Sequence, residues 1–549
     1  MKKTAFILIS IMLMSLGVWV TFDKFEHPPP GIDDAQIYFV YAQNIVDGEG
    51  IVFNPGGERV EGFTSVLWMI LVSLLFLFTE QPENWLLLLS ILITAAANAY
   101  LWFFISRGEL LSWRSFLFLA WVFGAPGYVV WMSLPLMDIA LWSAILILTT
   151  VTVIKAESSL QVGILISLVL LTRPEGIVWG LMFLFVYSSG VISKEGLKGA
   201  SRKVRLPLLF YVLTMISLIA VRLAYFGYPF PNTYYAKIGP DVVYNLAQGT
   251  LYLVNFMASN VFPLTLVIGA AIAGAVLNLP NFLRNLRSAP FTAEDNIQTE
   301  NMNVSLIALT GLLVPVLIGG DHFSMYRFYQ PIWPLLILPV LAMLGAISTP
   351  IPRVIRNCAL VGALLILVLT PWYRWDNLSF SWLRIEFGVA KNGVTLGNTL
   401  NLIFENDPPS VGYGFAGAFA YVYNGQMVDI FGLNNVAMAH SPGDRRGLKN
   451  HAAFNTDIFL SQQPDLFLPT ICSRDTIAGS SRPIEFTYFL ALDGIFEDQR
   501  FLDLYVFTSL VDSENCLLAW VKKSYVVELI NQGYSTEEID YRLVIEEHS

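Results

Sequence analysis

Apolar runs long enough to cross a lipid bilayer, or nearly so, recur along the first two thirds of this chain. A membrane-spanning helix needs about 20 mainly apolar residues, and unpaired backbone polar groups are not tolerated in lipid. Hydrophobic residues make up 55% and charged residues 13% of the 549 residues, against about 25% charged in a soluble domain. The sequence therefore predicts an α-helical polytopic membrane protein. The twelve candidate runs are 4–22, 64–78, 85–105, 115–131, 137–154, 160–171, 175–189, 207–226, 250–276, 303–319, 329–348 and 357–371.

Basic residues in the short connections predict the orientation, because cytoplasmic loops are enriched in Lys and Arg. The loops 23–63, 227–249 and 320–328, and everything after about residue 372, are then expected outside. The basic residues are Lys2, Lys3, Lys194, Lys198, Arg202, Lys203, Arg205, Arg284, Arg287, Arg353 and Arg356.

The number of crossings must be odd, because the N-terminus is predicted inside and the C-terminal domain outside. Twelve is even, so one run between residues 64 and 190 is expected not to cross, in a region that Pro126-Gly127 and Pro174 interrupt. The sequence thus predicts about eleven transmembrane helices and one re-entrant segment. No small-x-small cleavage site precedes Pro28, so the first run is interpreted as an uncleaved helix rather than a signal peptide.

The chain is predicted to divide into a transmembrane domain, 1–371, and a soluble mixed α/β domain, 372–549. Short apolar segments alternate with polar loops in the second part, with a helix expected near "STEEIDYRLVIEE". Cys472 and Cys516 offer the one disulfide that this domain could form. The net charge of −10 argues against a nucleic-acid partner.

Ionisable residues collect at the predicted outer ends of the helices, where charges tend to line a cavity or to pair. Cations can hold a phosphate as it leaves, while a carboxylate accepts the proton of an attacking hydroxyl. This combination suits glycosyl transfer from a polyprenyl-phosphate sugar to an acceptor at the bilayer surface. The candidates are Asp33, Asp34, Glu61, Asp138, Arg173, Glu175, Asn232, Lys237, Asp321, His322 and Arg327.

Simpler interpretations exist for several of these residues. Asp33 or Asp34 would serve as the N-cap of an amphipathic interfacial helix. Arg173 and Glu175 could be an ion pair that joins two short helices. Asp321 and His322 could bind a divalent metal, but two ligands alone are a weak metal signal, so no cofactor is assigned.

Five segments in the same order carry a resemblance to a known family. They are "DDAQIYFVYAQNIVDGEGIVFNPGGERVEGFTSVLW", "LTRPEG", "RLAYFGYPFPNTYYAK", "GGDHFSMYRFYQPIWPLL" and "VDIFGLNNVAMA". The chain resembles, from about residue 30 to residue 451, the branch of the GT-C glycosyltransferase superfamily that contains the mycobacterial terminal β-(1→2)-arabinofuranosyltransferase and its bacterial relatives.

The resemblance implies an inverting, polyprenyl-phosphate-sugar-dependent transferase of the bacterial inner membrane, with its active site and a soluble C-terminal domain on the periplasmic side. One of Asp33 and Asp34 would be the general base, and Arg173, Lys237 and Arg327 would hold the donor phosphate. Where relatives carry Gly-Leu-Glu-Thr, this chain has Asp138 in "PLMDIALW", and "EGFTSVLW" has Val66 in place of a proline. Both departures leave the sugar undefined, although arabinofuranose belongs to the best-known branch.

Two other classes of protein remain as alternatives. A transporter or flippase of lipid-linked glycans would also carry membrane charges, but near the middle of the bilayer. A non-catalytic envelope protein would scatter the charged residues rather than gather them in one outer cavity. The expected partners are the lipid bilayer, the polyprenyl-phosphate sugar and a glycan or glycolipid acceptor.

Overall fold

The chain folds into a mostly helical assembly with a small mixed sheet at its C-terminal end. The computed structural model describes residues 2–25, 31–238, 241–286, 292–346, 378–405, 407–443, 451–472, 491–492, 494–511, 516–539 and 541. The predicted run at 357–371 and the basic residues Arg287, Arg353 and Arg356 lie outside these ranges.

Sixteen helices precede residue 347 within the described ranges. They are α1 Lys2–Lys24, α2 Asp33–Val46, α3 Val66–Phe76, α4 Glu83–Ile105, α5 Trp113–Phe123, α6 Pro126–Trp131, α7 Ile139–Lys155, α8 Ser159–Thr172, α9 Gly176–Lys203, α10 Arg205–Tyr225, α11 Asn232–Lys237, α12 Val242–Ser259, α13 Val261–Asn285, α14 Ala293–Leu317, α15 Trp333–Leu336 and α16 Leu338–Ala346.

Six of these helices, α1, α4, α9, α10, α13 and α14, are long and apolar enough to cross a membrane. Leu209, Leu213 and Ile216 on α10 are half exposed or more, a surface that suits contact with lipid. Inside the bundle, the Trp121 and Trp333 rings stack with centroids 4.4 Å apart. The indole of each donates to the backbone carbonyl of the other. The length and apolarity of the six helices are those of a multi-pass membrane protein.

Two of the predicted apolar runs are interrupted by their own residues. The run 115–131 breaks before Pro126 into α5 and α6, and Pro174 separates α8 from α9, because proline disfavours the helical conformation of the residue before it. The run 250–276 is two helices rather than one, so a continuous span there is wrong. Asn260 interrupts the helix, and its side-chain amide donates to the Phe256 carbonyl.

Helix α3 matches the predicted apolar run 64–78 but is shorter than a membrane span. It has only 11 residues, or about 16 Å of helix, against about 30 Å of hydrocarbon. Both of its ends contact α2, because the backbone of Ser65 donates to the Tyr38 hydroxyl and the Phe76 ring packs against Phe39. Phe76 also contacts Tyr421. Helix α3 is therefore held against α2 at both of its ends.

The C-terminal part contains helices and a six-stranded sheet. The helices are α17 Leu378–Ile403, α18 Ala418–Val422, α19 Val436–Ala439, α20 Thr456–Gln462, α21 Gln499–Leu504 and α22 Lys523–Asn531. The strands are β1 Val411–Tyr413, β2 Met427–Asp429, β3 Leu466–Cys472, β4 Tyr505–Val511, β5 Cys516–Lys522 and β6 Ser535–Glu538.

Strand order is β2-β1-β3-β5-β4-β6, with β2, β1 and β3 parallel and the remaining pairings antiparallel. Cys472 and Cys516 face each other across β3 and β5 and form the expected disulfide. The helix expected from "STEEIDYRLVIEE" is wrong at its start, since Ser535–Glu538 is an edge strand. Pairing with β4 supplies the hydrogen bonds that a helix would otherwise have provided.

Candidate functional site

Helix α2 carries the paired acids and is fixed at its start by the chain before α7. Gly31 has a φ of 95°, which favours glycine, and its amide donates to the Leu134 carbonyl at 2.8 Å. The N-cap residue is Ile32, so neither acid acts as the N-cap. Asp33 and Asp34 instead occupy the first turn, where negative charge is favourable.

Asp33 points away from the candidate site and into the C-terminal part of the chain. Its two carboxylate oxygens accept the backbone amides of Gly417, at 3.1 Å, and Ala418, at 2.8 Å. Burial raises the pKa of Asp33 to about 7, against the opposing effect of the Ala418 amide. Asp33 therefore joins α2 to the start of α18.

Asp34 faces a cavity of about 350 Å³ between the helices. Its carboxylate lies 3.6 Å from the Arg327 guanidinium. Burial opposes ionisation, but Lys237 and then Arg327 outweigh it and hold the pKa of Asp34 below its usual value. Asp34 is thus a carboxylate at neutral pH. Six of the predicted residues line this cavity: Asp34, Arg173, Glu175, Lys237, Asp321 and Arg327.

Arg327 is held rigidly beside Asp34. Its Nε lies 2.5 Å from Asp321, and its guanidinium lies 4.1 Å from the centre of the Phe323 ring. Met325 and Tyr326, the two residues before it, have φ values of 57° and 54°, a conformation that costs about 1–3 kcal/mol for each non-glycine residue. Gly320 is required nearby, because an added Cβ would lie 2.6 Å from the Tyr252 side chain.

Arg173 enters the cavity already paired with two acids. As the residue before Pro174 it is extended, and it ends α8. Its guanidinium contacts both oxygens of the buried Asp138, at 2.9 and 3.1 Å, and one oxygen of Glu175 at 3.2 Å. The ion pair considered from the sequence is formed, with Asp138 as a further member.

Lys237, the last residue of α11, differs from the two cavity arginines. Within the described residues it has no carboxylate within ion-pair distance. Its charge nevertheless favours ionisation of Asp34 and Asp321. Lys237 is therefore the cavity cation best placed to accept a new anion.

The other predicted site residues do not line the cavity. The Glu61 carboxylate accepts from Arg222 at 2.8 Å. The Asn232 amide donates to the carbonyls of Gly432 and Leu433. His322 lies 3.4 Å from Asp321. These three residues, like Asp33 and Asp138, support the walls of the site.

Two acids near the site were missed by the sequence prediction. Glu386 of α17 is half-buried, and desolvation followed by the charges of Asp34 and Asp33 raises its pKa to about 8. The sequence pattern that could have identified Glu386 is an acid on the same helix face as two apolar residues, Leu383 and Phe387, which are buried. The second is Asp429 at the end of β2, whose pKa burial raises to about 6 although the backbone amides of Asn434 and Phe431 donate to it. It lies in "VDIFGLNNVAMA", which carried no assigned acid.

The described residues contain no group of three or more His, Cys, Asp or Glu side chains that could hold a metal ion. No family model and no curated protein matches this chain.

The buried carboxyl of Asp33 predicts a pH dependence of stability with a definite sign. Its pKa rises from 3.8 to about 7 on folding, so the folded state keeps a proton that the unfolded chain releases. The stabilisation from Asp33 is complete below pH 3.8 and is lost as the pH approaches 7, by up to about 1.4 kcal/mol per pH unit. Asp33→Asn removes this titration. Thermal unfolding in detergent should show the wild type losing stability relative to the variant over that range, and parallel curves would contradict the expectation.

Proposed function

We propose that this chain is an inverting glycosyltransferase that moves a sugar from a polyprenyl-phosphate donor to a cell-envelope glycan or glycolipid. The observation that carries the proposal is the Asp34 carboxylate in an outer cavity shared with Arg327 and Lys237. A base beside two cations matches the two needs of the reaction. These are proton removal from the acceptor and neutralisation of the leaving phosphate.

The proposed arrangement in the membrane has eleven crossings. Helices α1, α4, α7, α8, α9, α10, α13 and α14 would each cross once, as would the pairs α5–α6 and α15–α16. The eleventh crossing is the sequence prediction for the apolar run 357–371, which lies outside the described residues. Phe6 near the start of α1 packs against Trp102 near the end of α4, which supports antiparallel crossings by these helices with α3 left on the outer side. Lys2, Lys3 and the basic end of α9 would then face the cytoplasm of a bacterial inner membrane, and the cavity would face the periplasm.

The walls of the cavity suit a donor with an apolar tail. Ile177 and Val178 of α9, Phe230 before α11 and Ile318 after α14 are among its lining residues. These residues add apolar surface to the charged lining of the cavity. A lipid tail could remain in contact with the bilayer while its phosphate reaches Lys237.

In the proposed reaction, an acceptor hydroxyl attacks the anomeric carbon of the donor sugar on the face opposite the phosphate. The new carbon–oxygen bond forms as the bond from the anomeric carbon to the phosphate oxygen breaks, which inverts the configuration. Asp34 accepts the hydroxyl proton. The polyprenyl phosphate leaves with the bonding electron pair, and Lys237 and Arg327 balance its charge.

A transfer assay tests this proposal. Purified protein would be incubated with a panel of radiolabelled polyprenyl-phosphate sugars, including arabinofuranose, and crude envelope acceptor. Label in envelope glycan is the expected result. Lipid-linked sugar crossing a proteoliposome membrane without transfer would instead indicate a flippase, and neither activity from folded protein would favour the non-catalytic alternative.

Lys237→Met is expected to weaken donor binding. The variant removes the cavity cation that has no ion pair within the described residues, and a hydrogen bond to a charged group contributes about 1.5–3 kcal/mol. The donor KM should therefore rise by about 10- to 100-fold. Lys237→Arg keeps the charge and should recover part of the loss. An unchanged donor KM in Lys237→Met would remove Lys237 from phosphate binding.

A further inference from the structure

A second, smaller pocket lies where the first outer loop meets the edge of the sheet. Its volume is about 90 Å³, and none of its residues takes part in the reaction proposed above. Pockets at the junction of two structural units are common binding sites. Its polar lining consists of Asn54 and Glu58 from the loop and Asp429, Asn434, Asn435 and Gln462 from the C-terminal part.

The chemistry of this pocket differs from that of the cavity. Among the described residues that line it there is no Lys or Arg, so it has no counter-charge for a phosphate. Its surface instead offers amides and acids. Side chains of this kind suit a neutral ligand whose hydroxyl groups both donate and accept hydrogen bonds.

The hydrogen bonds within the pocket leave one acceptor and one donor that a ligand can use. One Glu58 oxygen accepts the Val436 amide at 2.9 Å, and a carboxylate has a second oxygen. One hydrogen of the Gln462 amide goes to Asn435 at 3.1 Å, and a carboxamide nitrogen carries two. An acceptor from Glu58 and a donor from Gln462 therefore remain, and both side chains are exposed.

Two hydrogen bonds separate the pocket from the cavity. The backbone amide of Gly62, which lines the cavity, donates to the Tyr41 hydroxyl at 3.0 Å. That hydroxyl donates to the Asn434 side chain, which lines the pocket, also at 3.0 Å. A residue pair consecutive in the chain also joins them, because Leu433 lines the cavity and Asn434 lines the pocket. A glycan that reaches one space is therefore close to the other.

We propose that this pocket binds a sugar unit of the acceptor glycan, next to the unit that receives the transferred sugar. The inference rests on the proposed transferase function and adds to it a site for the acceptor. The pocket would select acceptors by a neutral sugar unit, whereas the cavity would select the donor by its phosphate and lipid.

The first test measures glycan binding without donor. The purified full chain would be applied to an array of neutral di- and trisaccharides as wild type, Glu58→Ala, Gln462→Ala and the matched control Ser461→Ala. Ser461 neighbours Gln462 and is exposed but does not line the pocket. Loss of one or two hydrogen bonds should weaken binding by about 5- to 10-fold in the two pocket variants alone. No binding to any glycan, or equal binding by all four proteins, would overturn the proposal.

The second test distinguishes this proposal from the function on which it rests. In the transfer assay, the acceptor KM should rise about 5- to 10-fold in Glu58→Ala and Gln462→Ala, while kcat and the donor KM stay unchanged. Equal acceptor KM values in all proteins would reject the pocket and leave the transferase proposal standing. Specific glycan binding without any transfer would keep the pocket and reject the transferase.

Discussion

Replacing Asp34 by asparagine is expected to lower the rate of sugar transfer by about 10²- to 10⁴-fold, the usual contribution of a general base. Asparagine has nearly the same shape but cannot accept the proton of the attacking hydroxyl. The fold should survive, because Arg327 keeps its 2.5 Å contact with Asp321. Initial rates at saturating donor and acceptor would measure the effect, and thermal unfolding would check the fold.

Asp33→Asn is the matched control for this prediction. Asp33 has the same side chain and is adjacent in the chain, but its carboxyl group contacts the amides of Gly417 and Ala418 rather than the cavity. Asparagine can accept only one of those two amides with its single side-chain oxygen. Stability should change while kcat stays within a few-fold of the wild-type value. An equal loss of kcat in both folded variants would contradict the assignment of the base to Asp34.

Removing one partner of the buried Glu61–Arg222 ion pair is expected to give the largest loss of stability. The two side chains are 3% and 8% exposed, and three hydrogen bonds join them. Arg222→Met would leave the Glu61 carboxylate buried without its counter-charge, which typically costs about 3–5 kcal/mol. Thermal or denaturant unfolding in detergent would measure this as a lower midpoint.

Two further variants distinguish the effect of burial on stability from the effect of losing a charge. Glu61→Leu combined with Arg222→Met should recover most of the stability, since an apolar pair can replace a buried ion pair. Lys203→Met breaks the more exposed pair with Glu195 and should cost no more than about 1 kcal/mol. Equal destabilisation by Arg222→Met and Lys203→Met would contradict the special role of burial.

The sequence could predict that four charged residues share one cavity, because of their positions along the chain. They are Asp34, Lys237, Asp321 and Arg327. Each lies in a loop that the sequence predicts on the outer side, and the outer ends of membrane helices are confined to one narrow layer. The separate positions of Asp33 and Asp34 could not be predicted. Adjacent residues on a helix point about 100° apart, and their directions here depend on contacts with Gly417 and Ala418, far along the chain.

The errors in the fold have the same origin in contacts that hydropathy does not record. The run 250–276 is apolar on both sides of Asn260, so composition alone could not locate the break between α12 and α13. Residues 535–538 have a polar composition that suited a helix, yet β4 offered an edge with which they could pair. Glu386 was missed because α17 follows the predicted transmembrane domain, to which all the candidate site residues were assigned.

The contact between Asp33 and Gly417 also sets the earliest moment at which the site can be completed during synthesis. The two residues are 384 positions apart, which a ribosome covers in roughly 20–80 s at 5–20 residues per second. The apolar helices from α3 to α16 are synthesised during that interval, but α2 is not yet held by the start of α18. Only a polypeptide that has passed residue 418 can fix the orientation of its proposed base.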